Sequence, residues 1–179
     1  MKKIMFNDKY GLTQAVLEGR KTMTRRIVPQ AVVDNYMHDT DPTIIDAARF
    51  EIGEVVAIAQ SYKSIFEKSL NYALPRYHWL DDHIDEKGFE NKMFVKAGEM
   101  PHHIKITDIK VERLQDISDE DCLKEGLLQV ETMFHVPYTT IYKTTPCAAF
   151  AALINKVSGK GTWEKNPFVF AYSFELIDL

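Results

Sequence analysis

Two rhythms of apolar positions alternate along this chain. Between Asp8 and Glu18, Leu12, Ala15 and Val16 stand at i, i+3 and i+4, the spacing of one helix face. Gly19 follows, and glycine suits the left-handed residue that ends a helix. The rhythm then changes. Thr22 to Val28 is rich in threonine and β-branched residues and reads as a strand, with Thr22, Thr24 and Arg26 on one face and Met23, Arg25 and Ile27 on the other. Shorter strands are expected at Lys3 to Phe6, at the apolar run Val55 to Ala59 behind Gly53, and at Met93 to Lys96. Between Pro101 and Leu114, Ile104 and Ile106 alternate one way while Ile109 and Val111 alternate the other; a bulge at Thr107-Asp108 would explain the change of phase. The last strand, Phe168 to Ile177, puts Phe168, Phe170, Tyr172, Phe174 and Leu176 on one face.

Two later helices carry start and stop signals. Ser118 is the expected cap of Asp119 to Glu125, with Asp121 three residues on, an Ile117–Cys122 staple across the cap, and Gly126 as terminator. Thr145-Pro146 opens the next, whose stripe is Phe150, Leu153, Ile154 and Val157 and whose end is Gly159. Gln30 to Ile52 is weakly patterned, with a candidate helical turn over Thr43 to Phe50. Ser61 to Lys92 is the least regular stretch and is read as an insertion in a single domain covering 1–179. Strands and helices alternate irregularly, and no Gly-rich loop follows a strand. The expected class is α+β, not a doubly wound sheet.

With 179 residues, 45% hydrophobic and 27% charged, the chain has the makings of an ordinary globular core. MKKIMFNDKYG has no apolar run behind its lysines, so no signal peptide is expected. No stretch approaches the ~18 apolar residues of a membrane span. Cys122 and Cys147 stand in neither a CxxC nor a Cys/His cluster, which argues against zinc and against a disulfide framework and suits a reducing cytoplasm. No cofactor is implied. The net charge of −4 argues against a long nucleic-acid footprint but not against one local basic site.

Such a site is visible. Arg20, Lys21, Arg25 and Arg26 crowd between a helix end and a strand start, within Gly19-Arg20-Lys21-Thr22-Met23-Thr24-Arg25-Arg26. The plain reading is that Arg20 and Lys21 complement the helix dipole and that the other arginines are solvated. The same residues, however, resemble the ASCH domain, a relative of the PUA RNA-binding fold, whose motif is G-x-K-x-x-E-x-R. Gly19, Lys21 and Arg26 match; Thr24 replaces the usual glutamate. The small ASCH enzymes that hydrolyse N4-acetylcytidine carry G-R-K-T-x-T-x-R, which this chain fits at Gly19, Arg20, Lys21, Thr22, Thr24 and Arg26. Leu114 to Glu125 is similar to their second segment, with Glu125 at the catalytic glutamate. Met93-Phe94-Val95-Lys96, Met100-Pro101-His102, Glu112 to Ile117 and Gly159 to Pro167 resemble a phage-associated branch.

The resemblance implies a PUA-like mixed β-barrel flanked by short helices, with Lys21, Thr24 and Glu125 catalytic and no metal. Arg20, Arg26 and His102 are candidate ligand contacts. Lys21, crowded by arginines, should lose its proton more easily. It would activate Thr24, while Glu125, at the negative end of its helix and on the buried side, would act as acid. The expected partner is a nucleoside or single-stranded RNA. Two other readings use the same residues: a non-catalytic reader of a base or RNA backbone, and a protein-interaction module built on the insertion. His102-His103 point to opposite strand faces. Asp81, Asp82, His83 and Asp85 resemble a metal cluster by composition alone, and Tyr62, Tyr77 and Trp79 are candidate stacking or packing aromatics. Trp163 is expected to anchor the loop into the last strand.

Overall fold

The computed structural model describes residues 1–36, 42–69 and 82–177. Tyr77, Trp79 and Asp81, singled out above, lie outside them. The chain is mixed α+β with its strands in two sheets and several short helices. The strands are β1 (Lys3–Ile4), β2 (Met23–Ile27), β3 (Val55–Ile58), β4 (His103–Arg113), β5 (Leu128–Val130), β6 (Met133–His135), β7 (Tyr142–Lys143) and β8 (Phe168–Ile177). The helices are α1 (Leu12–Leu17), α2 (Gln30–Tyr36), α3 (Tyr62–Ser69), α4 (Asp119–Lys124), α5 (Pro146–Val157) and α6 (Thr162–Lys165). No described helix is long and apolar enough to cross a membrane.

The chain forms two compact units. One comprises 1–6, 55–104 and 177–179, the other 7–54 and 105–176. In the first, β1 runs parallel to β3, with Lys3 opposite Ala57 and Ile4 opposite Ile58. Its core gathers Ala57, Ala59, Tyr62, Ile65, Val95 and Met100. Of the insertion expected at 61–92, the described residues 61–69 and 82–92 fall within this unit. The strand expected at Met93 to Lys96 is instead a 3-10 turn over Lys92–Phe94, opened by the Asn91 side chain, which accepts from Met93 N at 2.9 Å. Lys3 Nζ draws the same backbone inward, donating to the carbonyls of Met93 (2.7 Å) and Val95 (2.5 Å). A carbonyl held by a side-chain cation is not free for a ladder, and sequence periodicity carries no trace of such a partner.

In the second unit, β8 lies between β4 and β2. β2 and β8 are antiparallel, and the register sets Thr24 opposite Tyr172, Arg25 opposite Ala171 and Arg26 opposite Phe170. Burial along β2 does not alternate: Met23, Thr24 and Arg25 are buried, and Arg26 and Ile27 are exposed. The expected helix from Asp8 to Glu18 is broken into a 3-10 turn, Asp8–Tyr10, and α1, because Gly11 between them is left-handed at φ 62°. Tyr138 packs against that glycine so closely that an added Cβ would lie 2.2 Å from its ring. The antiparallel meander β5–β6–β7 carries little apolar alternation, and its strands are held by pairing such as Leu128 with His135 and Phe134 with Lys143.

The two later helices start at their expected caps, but Val157, expected in the apolar stripe of the second, is exposed at its last turn. Ser118 Oγ accepts from Asp121 N at 3.1 Å, and Thr145 accepts from Ala148 N at 3.2 Å. α5 buries Phe150, Leu153 and Ile154, and the ring of Trp163 in α6 meets Phe150 edge-on at 6.1 Å. Thr145 is exposed, so its cap acts on α5 locally. Thr145→Ala is expected to lower unfolding free energy by about 1 kcal/mol in urea titration, whereas Thr145→Ser is expected to be nearly neutral.

Candidate functional site

β2 begins almost as soon as α1 ends. Gly19 takes φ 71°, and the amides of Arg20 and Lys21 both donate to Ala15 O at 2.9 Å, so the chain reverses within two residues. The reversal turns Lys21 inward. It is 2% exposed, and its ammonium donates to three acceptors: Met23 O at 2.7 Å, Glu125 O at 2.9 Å and Glu125 Oε2 at 2.6 Å. Two of the three come from a residue 104 positions away.

Glu125 is brought there by the end of α4. It is the C-cap residue, and Gly126 follows at φ 100°. A Cβ on Gly126 would meet Leu12, Ala15 and Lys21 at 3.3 to 3.4 Å, so the absence of a side chain lets this backbone lie against α1 and the Lys21 stem. Thr22 N also donates to Lys124 O at 3.0 Å, joining the start of β2 to the same helix end.

Arg25 completes the cluster from the opposite face of β2 to Thr24. Its Nη1 donates to Glu125 Oε1 at 3.1 Å, its Nε to Glu112 Oε1 at 2.9 Å, and its Nη2 lies 3.4 Å from Asp121 Oδ2. To reach Glu112 on β4, Arg25 spans the intervening strand β8, where its opposite residue is the small Ala171. The fork of a guanidinium suits this role, because it serves several carboxylates from one position. The sequence motif contains Arg25 but gave it no role. Its one signal was that an arginine stood on the same strand face as buried Met23.

Both Glu125 carboxylate oxygens thus face cationic donors, one from Lys21 and one from Arg25. Burial is the main force on Lys21 and holds its pKa below the ordinary lysine value against the opposing pull of Glu125; Arg26 and Arg25 add smaller downward pushes. The expected direction is found, with desolvation rather than arginine crowding as its chief cause. For Arg25 burial opposes the charge, but Glu125 and Glu112 outweigh it and raise the pKa.

The other face of β2 carries Thr24 and Arg26. Thr24 is buried, 5% exposed, beside Tyr172 across the strand pair. The peptide between Met23 and Thr24 is the one whose carbonyl accepts from Lys21, so Thr24 adjoins the ammonium through the backbone. Arg26 reaches solvent, yet surrounding protein still desolvates its guanidinium and lowers its pKa, with Arg49 adding to the lowering and Glu125 and Tyr172 opposing it. Arg49 joins from the segment before Phe50: its amide donates to Tyr172 Oη at 3.1 Å, and the Phe50 ring meets Tyr172 edge-on at 5.4 Å.

Arg20 is exposed and paired with Glu18 at 2.7 Å. His102 belongs to the other unit, where its carbonyl accepts from Ile58 N at 2.9 Å. Among the described residues no group of three or more His, Cys, Asp or Glu side chains is placed to hold a metal ion.

Removing one member of a buried ion cluster leaves its partners uncompensated. Arg25→Met, which removes the partner of Glu112 and leaves one Glu125 oxygen without its donor, is expected to cost about 3–5 kcal/mol of unfolding free energy in guanidinium titration. Lys21 has a folded pKa below its unfolded 10.5. Between those two values the unfolded chain binds more protons, so its contribution favours folding more as pH rises through that window. The stability difference between wild type and Lys21→Met is therefore expected to grow as pH is raised toward 10.5, read by denaturant titration at each pH.

No family model matches the chain, and no curated protein matches it. Among solved structures it is similar to the crystal structure of protein EF3133 from Enterococcus faecalis V583, family-model DUF984. The TM-score is 0.45 at 15% identity, over 100% of this chain and 78% of that one. The likeness is too distant to carry an argument about chemistry.

Proposed function

We propose that this chain is a PUA-like ASCH protein that takes a nucleoside or RNA segment at the Thr24–Arg26 face of β2 and hydrolyses the amide of an N4-acylated cytosine. One observation carries the reading: Lys21 and Glu125, 104 residues apart, meet at 2.6 Å next to the strand that bears Thr24. Residues far apart in sequence that converge in a buried polar cluster, with a perturbed lysine among them, are the usual mark of a reactive site.

The chemistry balances with these groups alone. Lys21 passes a proton to Glu125, leaving a neutral amine and a carboxylic acid. The amine takes the Thr24 hydroxyl proton as Oγ1 attacks the amide carbonyl. Arg26, on the same strand face as Thr24, stabilises the oxyanion. Collapse breaks the C–N bond, and Glu125 gives its proton to the departing exocyclic nitrogen. Water, deprotonated by Glu125, then attacks the acyl-threonine ester, and Lys21 returns a proton to Thr24 as the acid leaves. The remaining proton on Glu125 goes back to Lys21, which restores the ion pair.

A second reading rests on a specific observation. The Lys21 ammonium already serves three acceptors, and Arg25 occupies the second oxygen of Glu125. A cluster tied in this way can equally hold a fixed scaffold for a non-catalytic reader, with Arg26 at its rim.

Incubating the protein with a panel of N4-acylated cytosine compounds and following release of the free amine by chromatography separates the two. Turnover by the wild type is expected, and Thr24→Val is expected to abolish it while changing ligand affinity by less than about tenfold, or ~1.4 kcal/mol. Full hydrolysis by Thr24→Val would remove Thr24 from the mechanism. No turnover by the wild type, with RNA bound and released on Arg26→Ala, would establish the reader instead.

A further inference from the structure

Cys122 and Cys147 are the chain's two cysteines, and the fold brings them together from different helices. Cys122 lies on α4 and is wholly buried; Cys147 is the second residue of α5 and half-buried. The two helices pack against each other. At their contact the Cys122 thiol hydrogen-bonds to the Cys147 sulfur, and Cys147 also feels Asp119, the first residue of α4. A thiol is a weak donor, so this contact adds little that a small apolar residue would not. What the sulfurs add is chemistry. Two of them in hydrogen-bond contact need move only on the scale of a bond length to reach the ~2.05 Å of a disulfide.

The two thiols are not equivalent. Cys147 is the more accessible, sits in the first turn of a helix, where an anion is favoured, and receives the Cys122 hydrogen bond, which also favours its thiolate. Burial first, and then Asp119, outweigh these and keep its pKa above the ordinary thiol value, so the resting pair is protonated and exchanges slowly. Burial pushes the Cys122 thiol up as well, with Cys147 adding to it. Cys147 is thus the attacking sulfur and Cys122 the resolving one.

We propose that Cys122 and Cys147 form a reversible disulfide by exchange with a low-molecular-weight disulfide, tying α4 to α5 beside the helix end that carries Glu125. The Cys147 thiolate attacks one sulfur of the small disulfide and expels the first small thiolate. The Cys122 thiolate then attacks the Cys147 sulfur and expels the second. Two protein thiols are oxidised, one small disulfide is reduced, and the two protons end on the released thiols. Such a bond in a reducing compartment is transient and responds to redox state. Cys122 O accepts from Glu125 N at 3.3 Å, so the bond holds the turn whose carboxylate meets Lys21. The disulfide rests on the two sulfurs and not on the function proposed above.

Equilibrating the reduced full-length protein with mixtures of oxidised and reduced glutathione, followed by alkylation and mass spectrometry, reads the bond. The expected product is a monomer that has lost two hydrogens, takes up no alkylating group, yields a peptide pair linked through Cys122 and Cys147, and reverts with dithiothreitol. Its formation constant in native buffer should exceed that in denaturant by at least about tenfold, because the fold holds the sulfurs together. It should form faster as pH rises, and the oxidised chain should unfold at higher denaturant concentration than the reduced one. Cys122→Ala should instead stop at a mixed disulfide between glutathione and Cys147. Two free thiols at every ratio, a mixed disulfide or a linked dimer as the wild-type end product, or a formation constant no larger than in denaturant, overturns the proposal. The wild type alone gives these readings, so they do not depend on a variant folding. Amide hydrogen exchange at Glu125 and Gly126 should slow on oxidation; unchanged exchange there overturns the link to Glu125.

Discussion

A single ammonium with three acceptors organises the larger unit. Lys21 binds one carbonyl of its own strand and both the carbonyl and the carboxylate of Glu125, so the start of β2 and the end of α4 are joined at one atom. Burying a charge is costly unless it is paired and fully hydrogen-bonded, and here the pairing is complete. That requirement explains features that otherwise look unrelated. Gly19 must reverse the chain at once so that Lys21 faces inward. Gly126 must lack a side chain so that the helix end can approach. Arg25 must cross β8 over a small alanine, because a lone lysine would leave Glu125 half served and Glu112 unmatched.

The two faces of β2 divide the labour. The Met23–Arg25 face is closed, and its charges are consumed by one another. The Thr24–Arg26 face leads outward to Tyr172, Arg49 and solvent. Glu125 belongs to the closed side by contact and to the open side by field, since it acts on Arg26 as well as on Lys21. Any chemistry at Thr24 would therefore be conducted with groups whose protonation is set by a buried network, not by bulk solvent.

How much of this was legible in the sequence follows from the range of the forces involved. Capping at Ser118 and Thr145 and the existence of β2 and β8 as strands are local, and local spacing revealed them. Lys21 and Glu125 stood out through motif and resemblance, and the structure brings them together. Arg49 and Arg25 did not stand out as they should have. Arg49 is placed by a hydrogen bond to a tyrosine 123 residues away, and Arg25 by acids 87 to 100 residues away. The same limit explains the misread Met93 to Lys96 segment, whose turn is held by a lysine at the other end of its unit. The break at Gly11 was missed because the apolar spacing on either side of it stays in helical phase.

The 104-residue separation between Lys21 and Glu125 has a bearing on how the molecule comes into being. A contact of that range closes a long loop, and the entropy of closing it must be met before the contact offers anything in return. While the chain is being made, the basic motif emerges early and its acidic partner emerges after most of the protein has followed. Until then Lys21 and Arg25 have no Glu125 to meet. The site is thus a late product of folding: it exists only in a chain that has already brought its distant segments together.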